Sequence, residues 1–229
     1  MLFVGPSISR REVPAADRRA AALALQAATE AAPAAEAAEA AGIEKQSMDQ
    51  PEKLGVGIGF REQFRSDIFL NSERIEFLEI TSDHFFDATP RKLEELDLLL
   101  QHFPLIPHSL ELSLGSAEGV DDEYLEKLAG LVQRVTPAWF SDHISFTRSN
   151  GINIGHLAPV PYTLEALRVF VRNIERVKSR ISAPLILENI TYNLQFPSSR
   201  MTEAAFIREL LDETDCGMLL DVTISTRKI

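Results

Sequence analysis

Two imidazoles and two carboxylates recur at one kind of place in this chain. His108, His143, Glu188 and Asp221 each close a short apolar run, at intervals of 35, 45 and 33 residues. The runs are Leu105-Ile106-Pro107-His108, Ala138 to His143, Pro184 to Glu188 and Gly217 to Asp221. Mixed nitrogen and oxygen donors of this kind are ligand chemistry for Zn, Fe or Mn. A carboxylate behind Pro-Leu-Ile-Leu or Met-Leu-Leu is costly to bury unless a cation or metal compensates it, and few Lys or Arg stand at these run ends. Glu79, after Phe77-Leu78, and His84, in Ser82-Asp83-His84-Phe85, are weaker additions. For His108 or His143 taken alone, the plainer reading is a hydrogen-bonded core histidine; the four together favour a metal site. His102 ends a helical pattern and His156 sits before Pro159 and Pro161, so neither is expected to ligate.

Residues so far apart meet only if a scaffold returns each run to one face. Strand-like runs are expected at 54–60, 74–81, 104–114, 137–146, 183–190 and 216–223. Helical patterns are expected between them at 89–102, 121–135, 163–181 and 202–213, with a shorter piece near 64–71. Asp121, Thr163 and Thr202 are N-cap residues at three of the helix starts. In 163–181, Leu164, Leu167, Phe170, Val171, Ile174 and Val177 make one apolar stripe. Near-continuous apolar strands alternating with amphipathic helices imply a parallel sheet covered by helices. Polar ends on several strands favour a (β/α)8 TIM-barrel-like arrangement over a doubly wound sheet, because a barrel delivers every strand's C-terminal residue to the same mouth. About six of the eight strands are present. Gly55, Gly57 and Gly59 lack the spacing and the following helix of a dinucleotide fingerprint, and read instead as close-packed strand backbone.

Composition narrows the partners. The chain has 229 residues, 45% hydrophobic, with 23 Lys+Arg against 34 Asp+Glu and a formal net charge of −11. No basic stripe offers the footprint of a nucleic-acid binder, and no apolar run reaches the length of a membrane span, so a cytoplasmic location is expected. The single cysteine, Cys216, makes neither an internal disulfide nor a thiolate cage, and reads as a small buried hydrophobe. Residues 1–50 are dominated by alanine without an apolar stripe. They are read as a disordered or mis-annotated extension, with Met48 as a second candidate start, ahead of a domain at 51–229.

With those residues in view, the chain resembles the DUF692 (UPF0276) family of multinuclear non-haem iron-dependent oxidative enzymes. The resemblance runs from about Leu54 to Val222. It rests on Gly55 to Arg61, His108 with Leu112 to Ser116, Ser141-Asp142-His143-Ile144-Ser145, Leu157 to Thr163, Leu187-Glu188-Asn189 and Leu219 to Val222. It implies a xylose isomerase-like barrel that binds two or three irons at its strand ends and oxidises cysteine or other residues of a ribosomally made precursor peptide. A small partner protein that recruits the peptide's leader is implied as well. His108 and His143 match the family's first two histidine ligands, Glu188 its bridging carboxylate and Asp221 a ligand of the neighbouring iron. The family usually has Asn where His84 stands and Gly where Ser109 stands, and it continues past Asp221 with further ligand-bearing strands. The resemblance therefore leads us to expect a chain truncated at its C-terminus, inactive and poorly soluble. Codons for the family's expected Thr-Asn-Ile-Tyr-Ala-Lys-Asp can be chosen that, after loss of one A, encode Thr-Ile-Ser-Thr-Arg-Lys-Ile, the sequence of 223–229, as a one-nucleotide frameshift would. Two other readings of the residues stand beside this one: a divalent-metal isomerase or hydrolase on the same barrel, and a non-catalytic fragment or binding protein.

Overall fold

The computed structural model describes residues 53–222 except 193 and 195; the expectations for 1–50 and for the tail at 223–229 lie outside the described residues. Eight strands are described: β1 Gly57–Gly59, β2 Phe77–Thr81, β3 Leu105–His108, β4 Phe140–His143, β5 Phe146–Ser149, β6 Ile152–Ala158, β7 Leu185–Glu188 and β8 Gly217–Leu219. The helices are α1 Arg65–Leu70, α2 Pro90–His102, α3 Asp122–Val135, α4 Leu164–Lys178 and α5 Glu203–Thr214.

Six strands form one sheet in the order β1-β2-β3-β4-β7-β8, every neighbouring pair parallel. Strands laid down in chain order, each step crossed by a helix, are the signature of a singly wound βα barrel; a doubly wound sheet reverses its order partway. The fold is thus a partial (β/α)8 barrel. Four helices start on side-chain caps: Thr89, Asp121, Thr163 and Thr202 accept from the backbone N–H three residues on, each satisfying a donor that the first turn leaves without a partner. The inner stripe of α4 buries Leu167, Phe170, Ile174 and Val177, while Leu164 at its first turn stays half exposed. Phe140, Phe170 and Phe206 join the leucines of β7 and α3 in the main core, which also takes up Cys216. Gly57 lies against the Phe77 ring, 2.5 Å from where a Cβ would sit, so this strand passes too close to its neighbour for a side chain.

Three expectations are corrected. The run 104–114 stops being a strand at His108, although Leu110, Leu112 and Leu114 alternate as a strand would. Side chains take the backbone donors that a ladder would have used. Asp83 and the Tyr124 hydroxyl accept from Leu110 N–H at 3.2 Å each, Tyr124 also from Glu111 N–H at 3.1 Å, and Asp142 from Leu112 N–H at 3.2 Å. The stretch 137–146 also divides. It ends at His143, and a separate antiparallel hairpin of β5 and β6 follows, turning on Asn150 and Gly151, both with positive φ. His156, expected in a loop, lies in β6.

Candidate metal centre

Register brings the centre together. His108 stands opposite Ser141 across β3 and β4, and His143 opposite Glu188 across β4 and β7. Ser141 and His143 are two residues apart on one strand and so share a face, which places both imidazoles and Glu188 on the same side of the sheet at its C-terminal end. Glu188 Oε2 is 3.5 Å from His108 Nε2 and 3.4 Å from His143 Nε2. The rings meet edge to face with centroids 4.6 Å apart. One donor atom from each residue falls in a group within 4.8 Å.

Charge explains why these contacts are not ion pairs. Burial pushes His108 down to about 4 and His143 to about 3, with Arg61 adding to the first and His108 to the second. At neutral pH both rings are neutral, and each keeps a nitrogen lone pair. Burial raises Glu188 to about 7, and Glu79 and Asp221 push it in the same direction. Desolvation also lifts Glu79, against the pull of Arg61.

The donor set fits a metal ion. Ligands about 2.1 Å from one ion stand about 3.0–3.4 Å apart, close to the separations from Glu188 Oε2. Two neutral imidazoles with one carboxylate suit Fe, Zn or Mn without choosing among them. A metal-bound histidine ordinarily has its second ring nitrogen engaged by a neighbour, and His108 has this: its Nδ1 lies 2.8 Å from Ser141 Oγ, leaving Nε2 toward Glu188. His143 Nδ1 is buried with no hydrogen-bond partner among the described residues.

The flanks differ. Asp221 follows the end of β8, and its backbone is held by the Asn189 side chain, which accepts from Asp221 N–H at 2.9 Å and donates to its carbonyl at 3.2 Å. Its charge acts on Glu188, but its carboxylate is outside the group of three. Glu79 is placed likewise, on β2 opposite Ile106 and within electrostatic reach of Glu188. His84 is exposed in a 3-10 turn beyond β2 and does not join the group.

Two residues that sequence reasoning did not single out support the centre. Ser141 orients His108 through its hydroxyl, and its carbonyl accepts from both Ser109 N–H and Ser109 Oγ. Asp142, fully buried and raised by burial to about 7, accepts from His143 N–H at 2.6 Å and Leu112 N–H at 3.2 Å. It thereby ties the His143 backbone to the loop after His108. The signal in the sequence was their position inside Ser-Asp-His, but which strand each would face required the register.

A match to the family described as RiPP precursor modification enzyme MbnB/TglH/ChrH covers residues 55–224. The UPF0276 protein of Caulobacter vibrioides (strain NA1000 / CB15N) is 39% identical over 171 residues, 73% of this chain and 60% of that protein. The UPF0276 protein of Anaeromyxobacter sp. (strain Fw109-5) is 36% identical over 169 residues, 74% of this chain and 60% of the relative. The chain thus spans about 60% of the length of these curated relatives. Among solved structures, D-psicose 3-epimerase in the presence of D-fructose superposes with a TM-score of 0.48 at 10% identity, covering 72% of this chain and 62% of that one. Among the described residues, no helix is long and apolar enough to cross a membrane.

Proposed function

Because the chain belongs to the MbnB/TglH/ChrH family of RiPP precursor modification enzymes, we propose that it serves the iron-dependent oxidation of a side chain, cysteine foremost, in a ribosomally made precursor peptide. The observation that carries this reading is the meeting of His108, His143 and Glu188 at the strand ends, with both imidazoles held neutral by burial. When bound, iron supplies the redox equivalents for O₂ reduction and a Lewis acid for a substrate thiolate. His108 presents Nε2 because Ser141 engages Nδ1. Glu188 loses its proton near pH 7 and supplies the negative charge that a cation needs. Asp221 and Glu79, whose charges already act on Glu188, are the candidates to hold a second ion. Asp142 keeps the His143 backbone and the 109–114 loop in place as the peptide arrives. A small leader-binding protein is part of the proposal, as is a cytoplasmic location, where such peptides are made.

The test is anaerobic loading of the purified chain with Fe(II), metal counting, and addition of a Cys-containing peptide with and without O₂. Metal bound through His108, His143 and Glu188 is the expected result for this chain, and O₂ consumed only when peptide is present is the expected result for a full-length relative assayed beside it. Turnover that proceeds equally without O₂ would replace this reading with a metal isomerase or hydrolase. A chain that binds no metal, or whose metal binding survives His108→Ala and Glu188→Ala, would remove it.

A further inference from the structure

Arg61 stands two residues beyond β1, and Phe60 between them prolongs the β1–β2 pairing by donating its N–H to the Glu79 carbonyl at 2.7 Å. Gly59 offers no side chain to fill the space at this strand end. A Cβ built there would meet Arg61 Nη1 at 3.5 Å and Glu79 Oε1 at 3.7 Å. Guanidinium and carboxylate therefore both overhang Gly59, and the Arg61 side chain folds back over the end of its own strand. Its Nη1 donates to the Phe60 carbonyl at 3.0 Å, and among the described residues this is its one hydrogen bond. It forms no ion pair with any described carboxylate, Glu79 included.

A cation in this place is a physical oddity. It acts on His108, opposing the charged ring, and it would oppose a metal ion held by the same ring. Glu79 offsets it in part without taking its donors in an ion pair, and the exposed guanidinium is open to an incoming anion. A guanidinium is a rigid fork of five donors whose best partner is a carboxylate taken two-pronged, and most of this fork has no partner among the described residues. The chain as a whole is acidic, with a net charge of −11, so a long-range field does not draw anions to the mouth. A local fork is what would accept one.

We propose that Arg61 is a specificity-determining residue that binds a carboxylate of the peptide substrate and thereby sets which side chain lies over His108, His143 and Glu188. This rests on the reading of the chain as a peptide-modifying enzyme. The carboxylate comes either from the peptide's C-terminus or from an Asp or Glu beside the reacting residue.

The experiment uses the 229-residue chain loaded with Zn(II), which is redox-inert, and three fluorescein-labelled tetrapeptides read by anisotropy. One is Gly-Ala-Ala-Cys with a free C-terminus, the second its C-terminal amide, and the third the amide of Gly-Ala-Asp-Cys. At least one carboxylate-bearing peptide should bind about 10-fold tighter than the plain amide, the scale of a charged hydrogen-bonded contact. Tighter binding of the first points to the C-terminus, and of the third to an acidic side chain. Arg61→Ala and Arg61→Gln should both bring the ratio of carboxylate-peptide to amide affinity to about one, and Arg61→Lys should keep part of the preference. If neither carboxylate peptide exceeds the plain amide on the wild-type chain, absence of all binding included, the proposal is overturned. A preference that persists in Arg61→Ala, as direct zinc–carboxylate binding would produce, overturns it too. No O₂ enters the measurement, so the oxidation reading can fail while this one succeeds, and the reverse.

Discussion

Two largely buried glutamates in this domain live opposite electrostatic lives. Glu95, on α2, is held by two cations, Arg65 and Lys92, the latter 2.5 Å from Oε2. Lys92 also lies 5.1 Å over the Phe85 ring, so the carboxylate and its partners are built into the packing. Glu188 has two imidazoles where Glu95 has cations, and burial keeps both neutral. Its other electrostatic neighbours, Glu79 and Asp221, are acids. A carboxylate whose charge is answered within the fold is structure. One whose charge is left unanswered, beside lone pairs that converge on it, is a place prepared for a cation.

The sharpest way to break this contrast is to neutralise each carboxylate in turn. Glu188→Gln should weaken Zn(II) or Fe(II) binding by more than about 100-fold, since a charged ligand is lost outright. Its melting temperature should hold or rise, because an uncompensated buried charge goes with it. Titration of metal against a chromophoric chelator, alongside a thermal melt, reads both. Glu95→Ala should do the reverse, lowering stability by about 2–3 kcal/mol in urea unfolding while metal affinity stays put. That figure lies just below the usual range for a broken buried pair, because Arg65 and Lys92 are partly exposed and can turn to water or to Glu62. Equal effects of the two substitutions would collapse the distinction.

Acidity sharpens it further. Glu188 is raised to about 7 from 4.5, so between those values the folded chain holds a proton that the unfolded chain has released, and stability falls as pH rises. Asp142, raised to about 7, adds to this. His108 and His143 act in the other direction: lowered to about 4 and about 3 from 6.5, they leave the unfolded chain holding the extra protons, and stability grows with pH up to about 6.5. The metal-free chain should therefore show nearly flat stability between about pH 4.5 and 6.5 and a decline just above it. Metal affinity behaves otherwise, because bound metal needs Glu188 as an anion and the imidazoles are already neutral. It should drop about tenfold per pH unit below about 7. Glu188→Gln should abolish that slope, and a slope that persists in the variant would assign the proton to another group.

The smallest effect concerns the hydroxyl behind His108. Ser141→Ala removes the group that holds Nδ1 and should weaken metal binding about 10-fold, as loss of a ligand's supporting contact does. Ser141→Thr should restore most of it. An unchanged affinity in the alanine variant would mean that packing alone orients the ring.

What the sequence determined by itself is local in origin. Strand and helix follow from apolar period, and helix starts from Thr89, Asp121, Thr163 and Thr202, whose side chains reach only three residues on. Since each βα unit returns to the same mouth, the meeting of His108, His143 and Glu188 was legible from their place at strand ends. The hairpin of β5 and β6 was not legible, because its short strands carry mixed polarity and a register shift between Phe146 and Arg148 breaks their alternation. Nor was the end of β3 at His108, since Leu110, Leu112 and Leu114 keep a strand's period while their backbone is held by side chains from other elements. Asp221 has the same credentials in sequence as Glu188, yet only Glu188 stands on a rung with His143. Only the tertiary structure decided that His108 has Ser141 at its Nδ1, that Asp142 clamps the loop after it, and that Arg61 folds back over Gly59. Periodicity states which face a residue occupies, whereas register between strands, set by the packing of the whole sheet, states which residue it meets.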